Sequence, residues 1–288
     1  YGSDDRLDLY QVQNAKLLEA ADSTVALFSG SDVTLAGDMA TLNVRPYGSG
    51  MSLCPQEPFF DQVNGAFCSG SLIAPDVIMT AGHCVRSESA CTGTKFVFGF
   101  GVKTKGAMPT SVAADDVYSC KKLIAQSVVN NGADYALVKL DRPVTGHKPL
   151  KFNKAGDPAN GTPLVVIGHP AGLPTKIAGG AKVRDASPSG FFVANLDTYG
   201  GNSGSAVFNA TNLNIEGILV RGENDYVWRG SCRVSQECAD DACRGEDVTK
   251  MTSVLPHIPS PAAETVESYV VRPETVLSSL RTALESNP

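Results

Sequence analysis

The length, composition and charge of the chain describe a folded protein and argue against nucleic-acid binding. Its 288 residues fit one large domain or two lobes, and 42% hydrophobic residues supply enough apolar material for a packed core. The formal net charge of -6 excludes the basic surface that neutralises phosphates. No apolar run approaches the roughly 20 residues that span a bilayer, so we expect no membrane segment.

The predicted elements run from a helix into a series of short strands. Apolar residues at helical spacing between 10 and 28, a segment free of Gly and Pro, predict an N-terminal helix that leads into a strand. From about residue 64, runs rich in Val, Ile, Phe and Leu alternate with turn residues and predict strands at 71–74, 77–80, 95–100, 136–140, 163–168, 191–196, 205–208 and 215–220. Segment 273–285 has Pro in its first turn and predicts an amphipathic C-terminal helix.

This order of elements predicts an all-β barrel or sandwich protein with a division near residue 150. Residues 1–150 would form an N-terminal extension and the first β unit, and residues 151–288 the second β unit and the C-terminal helix.

The eight cysteines indicate export. Their number is even and no pair has the Cys-x2-Cys spacing of a zinc site, so disulfides formed in an oxidising compartment are favoured over metal binding. We therefore expect a secreted or periplasmic protein without a metal. The polar residues 1–5 are typical of the end left when a targeting segment is removed, or of an artificial start.

Three separate segments carry the groups that amide hydrolysis requires, namely a nucleophile, a base and a carboxylate that orients the base. Ser203 lies in the small-residue sequence GGNSGS at 200–205, although such turns occur in many surface loops. His83 lies in TAGHC at 80–84, directly after an apolar run. Asp134 opens the sequence DYALVKL at 134–140.

Together these segments resemble those of chymotrypsin-like serine peptidases over roughly residues 60–255, in the same order of His, Asp and Ser. The resemblance implies an all-β fold of two six-stranded antiparallel β-barrels. It also implies that His83 is the base, Asp134 its partner and Ser203 the nucleophile, with the N–H groups of Gly201 and Ser203 as the oxyanion hole. No cofactor is expected, because protein groups supply every function.

The sequence GNSGS at 201–205 resembles the bacterial branch that includes the glutamyl endopeptidases. Asn202 departs from the trypsin branch, which carries an aspartate there to receive a newly freed N-terminus, so trypsin-style activation is not expected. In the family, cysteines spaced like Cys68 and Cys84 are bridged. We expect a second bridge between Cys91 and Cys120, and two more among Cys54, Cys232, Cys238 and Cys243 whose pairing stays open.

The same resemblance suggests the substrate-binding residues, which are Asp197, Thr198, Val220, Arg221 and Gly222. Asp197 occupies the position at the base of the primary specificity pocket, where a carboxylate favours Lys or Arg. Leu219 stands where glutamyl endopeptidases carry a histidine, which disfavours cleavage after acidic residues. Two alternatives stay open: Arg221 attracting an acidic substrate residue, and Glu246 adding a second carboxylate to the pocket.

The sequence therefore predicts a monomeric, secreted serine endopeptidase that cleaves peptides or proteins after Lys or Arg. A core histidine and a turn aspartate are the ordinary interpretations of His83 and Asp134, but the agreement of three motifs favours catalysis. Asp141 reads as a turn residue and His169 as a loop residue, and His147 and His257 lie in no motif. The alternative functions are a catalytically silent protein-binding relative and an esterase or acyltransferase that uses the same three residues.

Overall fold

A computed structural model describes residues 1–259, and β-strands are the main regular secondary structure among them. The predicted helix at 273–285 lies outside the described residues. The helices are α1 (Ala15–Asp22), α2 (Tyr47–Gly50), α3 (Glu88–Thr92) and α4 (Met251–Val254). The strands are β1 (Arg6–Asp8), β2 (Thr24–Ser29), β3 (Val33–Ala36), β4 (Met39–Leu42), β5 (Arg45–Pro46), β6 (Val63–Asn64), β7 (Cys68–Ala74), β8 (Val77–Thr80), β9 (Thr94–Val97), β10 (Ser111–Ala113), β11 (Val117–Val128), β12 (Asp134–Leu140), β13 (Pro163–Gly168), β14 (Lys176–Asp185), β15 (Phe191–Ala194), β16 (Ala206–Asn209), β17 (Ile215–Arg221), β18 (Tyr226–Arg229), β19 (Cys232–Ser235) and β20 (Glu246–Lys250).

The first barrel closes in the strand order β11-β12-β8-β7-β2-β9, with every pair antiparallel. Its inward-facing side chains form a dry core of β-branched, aliphatic and aromatic residues that includes Val25, Leu72, Ile78 and Phe96. The predicted N-terminal helix is confirmed as α1, which begins where the Asn14 side chain accepts hydrogen bonds from the backbone of Lys16 and Leu17. As predicted, it leads into a strand, β2.

The second barrel contains β14, β13, β16, β17, β20 and β15 in that order, and β15 pairs back onto β14 to close it. Its core includes Leu164, Phe192, Val207 and Val248. Strand β1, from the start of the chain, adds to the outer side of β14 in antiparallel register. The prediction of two six-stranded antiparallel barrels is therefore confirmed. In the described part of the chain, no helix is both long enough and apolar enough to cross a membrane.

Four disulfides connect the loops around this framework. The two predicted bridges, Cys68–Cys84 and Cys91–Cys120, are confirmed. The pairing that the sequence left open is Cys54–Cys232 and Cys238–Cys243. Cys232 opens β19, so the first of these ties the hairpin of β18 and β19 to the loop after α2.

Candidate active site

Two strands of the first barrel bring His83 and Asp134 to one edge. Strands β8 and β12 pair with Thr80 opposite Ala136, so the residues just after β8 meet the first residue of β12. The Nδ1 atom of His83 lies 2.8 Å from Asp134 Oδ2, and the His83 backbone N–H donates to Asp134 Oδ1 at 3.1 Å. A proton on Nδ1 that is directed at this buried carboxylate leaves Nε2 free to accept a proton from a nucleophile.

Asp134 is also held by the second barrel. Its backbone N–H donates to Thr249 Oγ1 at 3.0 Å, and the Thr249 hydroxyl donates to the Asp134 carbonyl at 2.9 Å. Both residues are buried. This reciprocal pair crosses between the barrels, so it holds the backbone of Asp134 against β20 of the second barrel.

Ser203 lies between β15 and β16, with its backbone packed against the histidine segment. Its carbonyl accepts a hydrogen bond of 2.8 Å from the backbone N–H of Ser69, which follows the bridged Cys68. Gly204 has a φ of +90°, and a Cβ there would lie 2.0 Å from the Ser69 carbonyl oxygen. The small residues of the turn are therefore required by close contact with the first barrel. Within residues 1–259 no hydrogen bond joins Ser203 Oγ to His83, a contact that in free enzymes often tightens only with substrate.

The peptide group that carries the N–H of Gly201 is held by its carbonyl. The carbonyl of Gly200 accepts from the Ala171 N–H at 2.6 Å, and a planar trans peptide directs the Gly201 N–H the opposite way. Gly201 has a φ of +95°, and a Cβ there would lie 2.7 Å from the nitrogen of Gly172. Glycine is needed here because the loop both turns and packs closely against the segment after β13.

The peptide group that carries the N–H of Ser203 is held in the same manner. The carbonyl of Asn202 accepts from the Ser205 N–H at 2.8 Å, so the Ser203 N–H also points away. In the described part of the chain, neither this N–H nor that of Gly201 has a hydrogen-bond partner. Two unoccupied backbone donors beside a serine hydroxyl can stabilise the negative oxygen of a tetrahedral intermediate.

A pocket of about 180 Å³ lies beside Ser203. Four of the five predicted substrate-binding residues line it, namely Thr198, Val220, Arg221 and Gly222. Three acidic residues that line it as well are Glu223, Asp225 and Glu246. The pocket is therefore rich in carboxylates, which favours a cationic occupant.

Glu246 is the buried carboxylate of this pocket. Burial raises its pKa to about 7, although hydrogen bonds from the Thr198 hydroxyl (2.7 Å) and the Glu223 N–H (3.2 Å) oppose the shift. The carboxylate lies under the backbone of Gly222, where a Cβ would be only 1.9 Å from its Oε2 atom. Glycine at 222 thus leaves the space that Glu246 fills.

Asp197 lies behind the pocket, in contrast to its predicted position at the base. Its carboxylate accepts from the backbone N–H of Asp5 at 3.0 Å and forms an ion pair with the amino group of Tyr1. It lines a smaller adjoining cavity of about 40 Å³ and not the pocket beside Ser203. The physical reason is that the N-terminal segment offers this side chain polar partners on the side away from the pocket.

The guanidinium of Arg221 is already paired. Its Nε donates to Asp247 Oδ2 at 2.9 Å and its Nη2 to the carbonyl of Gly132 at 2.8 Å, and it lies over the ring of Phe191. Asp247 is fully buried and also binds Arg244. The guanidinium of Arg221 is therefore engaged by partners, although Asp247 offers one negative charge to two arginines, and the acidic character of the pocket comes from Glu223, Asp225 and Glu246.

The remaining histidines have structural surroundings, and His257 stacks on the ring of Tyr135. His169 is completely buried and its Nδ1 bonds the carbonyl of Leu173, and burial lowers its pKa to about 3, so the ring is neutral. His147 lies between Asp22 (2.8 Å) and Asp116 (3.2 Å). Burial lowers the pKa of His147, but these hydrogen bonds outweigh it and leave the pKa raised.

One group of potential metal ligands occurs within residues 1–259, formed by Cys68, His83 and Cys84. Both of its sulfur atoms belong to a disulfide and are not free to bind an ion.

Sequence reasoning missed two residues that support this site, Ser69 and Thr249. Both act across the boundary between the barrels, so no local pattern marks them.

Residues 68–215 match the family described as trypsin-like peptidase domain. A trypsin from Sarcophaga bullata is 31% identical over 130 residues, which are 44% of this chain and 46% of that protein. A glutamyl endopeptidase from Bacillus licheniformis is 28% identical over 151 residues, which are 49% of this chain and 45% of that protein. The match thus spans just under half the length of these curated relatives. A solved structure of a Glu endopeptidase in complex with MPD has a TM-score of 0.50 at 18% identity, covers 88% of this chain and 95% of its own, and shows the shared fold.

Proposed function

The chain belongs to the trypsin-like peptidase family, and from that membership we propose that it is a serine endopeptidase that works through an acyl-enzyme on Ser203. The observation that carries the proposal is the His83–Asp134 pair, held at 2.8 Å at the edge of the first barrel that contacts the Ser203 loop. It is joined by the two free N–H groups of Gly201 and Ser203.

In the proposed reaction, His83 Nε2 takes the proton of Ser203 Oγ as this oxygen attacks the scissile carbonyl carbon. The N–H groups of Gly201 and Ser203 donate to the resulting oxyanion. When the carbon–nitrogen bond breaks, the imidazolium returns its proton to the leaving amine. A water molecule, deprotonated by His83, then hydrolyses the ester and restores the Ser203 hydroxyl. Asp134 keeps the imidazole oriented and stabilises its positive form.

A peptide suits the site better than a small ester. Strand β16 pairs with β17 only as far as Ile218, so Val220 to Gly222 extend past β16 at the mouth of the pocket. An extended peptide can lie along such a segment and form backbone hydrogen bonds with it. The four disulfides support secretion or a periplasmic location. We further propose that the enzyme acts as a monomer.

The pocket supports cleavage after Lys or Arg, with Glu246 in the role predicted for Asp197. The similarity to a glutamyl endopeptidase argues instead for cleavage after acidic residues. However, the guanidinium of Arg221 is held by Asp247 and the carbonyl of Gly132, whereas Glu246, Glu223 and Asp225 line the cavity. A substrate carboxylate would meet like charges there, and a cation would meet opposite ones.

Labelling with a fluorophosphonate tests the proposal, because this reagent phosphonylates only an activated serine. We expect a single adduct on Ser203 by peptide mass spectrometry, and none in a His83→Ala variant. An unlabelled parent protein would indicate a catalytically silent relative. Digestion of a peptide library then separates a peptidase from an esterase and reports the residue before each cleaved bond.

A further inference from the structure

Ser69 contacts the loop of the proposed oxyanion hole at both ends. It lies in β7 of the first barrel and is fully buried. Its backbone N–H donates to the carbonyl of Ser203 at 2.8 Å, and its hydroxyl donates to the carbonyl of Gly201 at 2.9 Å. One residue of the first barrel thus contacts the two residues of the second barrel whose N–H groups form the oxyanion hole.

Both hydrogen-bonding capacities of the Ser69 hydroxyl are used. While its proton goes to Gly201, its oxygen accepts from the backbone N–H of His169 at 2.9 Å. The Ser69 carbonyl in turn accepts from the Thr80 hydroxyl at 2.6 Å, which anchors Ser69 in its own sheet. Ser69 and His169 are fully buried and Gly201 is half-buried, so water has little access to the Ser69 hydroxyl.

We propose that Ser69 is a positioning residue of the oxyanion hole, whose hydroxyl keeps residues 200–203 in the conformation that presents both N–H groups to substrate. This inference rests on the proposed peptidase function. The carbonyls of Gly200 and Asn202 hold the two donor peptides, and the carbonyl of Gly201 belongs to the peptide between them. The N–H of that middle peptide, on Asn202, donates to the carbonyl of Tyr199 at 2.9 Å, so the Ser69 hydroxyl provides the second of two hydrogen bonds that oppose its rotation. Rotation of the middle peptide would turn both of its neighbours.

Without the Ser69 hydroxyl, rotation of the peptide between Gly201 and Asn202 becomes energetically favourable and sterically possible. The Gly201 carbonyl, which is half-buried, would lose its donor, and this unfavourable state is relieved when the peptide turns toward another partner or toward water. Gly201 permits the turn, because glycine populates backbone conformations closed to other residues. A rotated loop aims its N–H groups away from the oxyanion and lowers the rate of the chemical step while leaving the specificity pocket in place.

Ser69→Ala tests this, and Ser71→Ala is the matched control. Ser71 lies two residues on in the same strand, is equally buried, and its hydroxyl has no partner within residues 1–259. We expect Ser69→Ala to lower kcat about ten- to hundredfold, which is less than the loss on deleting a hydrogen-bond donor of an oxyanion hole outright. We expect KM to change less than threefold. We expect Ser71→Ala to keep kcat within twofold.

A second pair of variants separates the hydroxyl from packing. Ser69→Thr retains the hydroxyl and Ser69→Val replaces it with a methyl of similar shape, so any crowding is common to both. We expect the Thr variant to exceed the Val variant at least tenfold in kcat. The affinity for a peptide aldehyde, which forms a tetrahedral adduct, should weaken in step with kcat, while affinity for the matching peptide amide stays constant.

Several outcomes overturn the proposal. Ser69→Ala and Ser69→Val with kcat within twofold of a parent that the fluorophosphonate labels at Ser203 would exclude a positioning role and leave the peptidase function standing. The hydroxyl would be assigned a role in stability if Ser71→Ala showed the same loss of kcat. The same conclusion would follow if circular dichroism showed that Ser69→Thr folds and that Ser69→Ala and Ser69→Val do not. A parent without label at Ser203 would remove the peptidase function and this inference together.

Discussion

Replacing Glu246 with glutamine tests the origin of specificity most directly. Glutamine has nearly the same shape: its carbonyl oxygen can accept from the Glu223 N–H, and its NH2 group can donate to the Thr198 hydroxyl, which now donates to Glu246 at 2.7 Å. The change therefore removes one negative charge from the pocket and leaves its volume of about 180 Å³ nearly unaltered. The measured quantity is the ratio of kcat/KM for two peptides that differ only in arginine or citrulline before the scissile bond.

The size of the expected effect follows from Coulomb's law. A substrate guanidinium at about 4 Å from the carboxylate gains about 4 kcal/mol at an effective dielectric constant of roughly 20. Desolvation of the two charges offsets about half of that gain, which leaves about 2 kcal/mol. Since about 1.4 kcal/mol is a factor of ten, the arginine-to-citrulline ratio should fall about thirtyfold in Glu246→Gln.

The same ratio should depend on pH in the parent enzyme. Burial raises the pKa of Glu246 to about 7, so its carboxyl is neutral below that pH and charged above it. Because kcat/KM reports groups of the free enzyme, the ratio should rise with pH through about 7 and level off at higher pH. Any effect of pH on the shared chemical step affects both peptides equally and cancels. The Gln variant should show a weaker pH dependence of the ratio, with the remainder due to Asp225, whose pKa burial also raises.

Asp197→Ser is the comparison variant, because Asp197 is also acidic but faces away from the pocket. We expect its arginine-to-citrulline ratio to stay within threefold of the parent. The reasoning is refuted if Glu246→Gln keeps the ratio within threefold at pH 8. A loss in Asp197→Ser alone would restore Asp197 to its predicted role.

Ser203→Ala should abolish turnover except for a residual acceleration of about a thousandfold over water. Its unfolding midpoint, measured by circular dichroism, should be unchanged. A hydrolysis rate within tenfold of the parent would contradict the assignment of Ser203 as the nucleophile. Replacing Cys68 and Cys84 by serine opens a bridge of sequence separation 16 and should cost about 3 kcal/mol in urea unfolding, with a fall in kcat because the bridge tethers His83; equal kcat would show that the tether is dispensable. His147→Asn should destabilise most at pH 5.5, because a group with a raised folded-state pKa contributes stability below its unfolded pKa of about 6.5 and loses it as pH rises through the folded value. Urea unfolding that showed a larger effect at pH 9 than at pH 5.5 would contradict this.

Much of the framework was predictable because it depends on local patterns. Strands β8 and β13 have the predicted bounds, since each is a continuous apolar run that a barrel buries. Strands β11 and β14 were not among the predicted runs. Each mixes lysines with small or polar residues, and pairing with neighbouring strands, not its own composition, makes it a strand.

The candidate site divides in the same way. The motifs around His83, Asp134 and Ser203 could be recognised in the sequence because each is a short segment whose residue types suit one chemical task. Their catalytic roles remain proposals. The residues of the specificity pocket were harder to predict from the sequence. The position of Asp197, before Ser203 in the sequence, predicted that its carboxylate lies at the base of the pocket. The direction of a side chain depends on its partners, however, and the N-terminal segment holds the Asp197 carboxylate on the side away from the pocket.

By itself, the sequence determined an all-β framework and the three segments that carry reactive groups. Its resemblance to chymotrypsin-like peptidases implied the two barrels and the bridge Cys68–Cys84. Only the tertiary structure decided that Glu246 fills the pocket, that β1 joins the second barrel, and that Ser69 holds the loop of Gly201. The physical reason is that strand periodicity and turn chemistry act over a few residues. Burial of a carboxylate, or a hydrogen bond from one barrel to the other, depends on groups that are distant in sequence and come together only when the barrels pack.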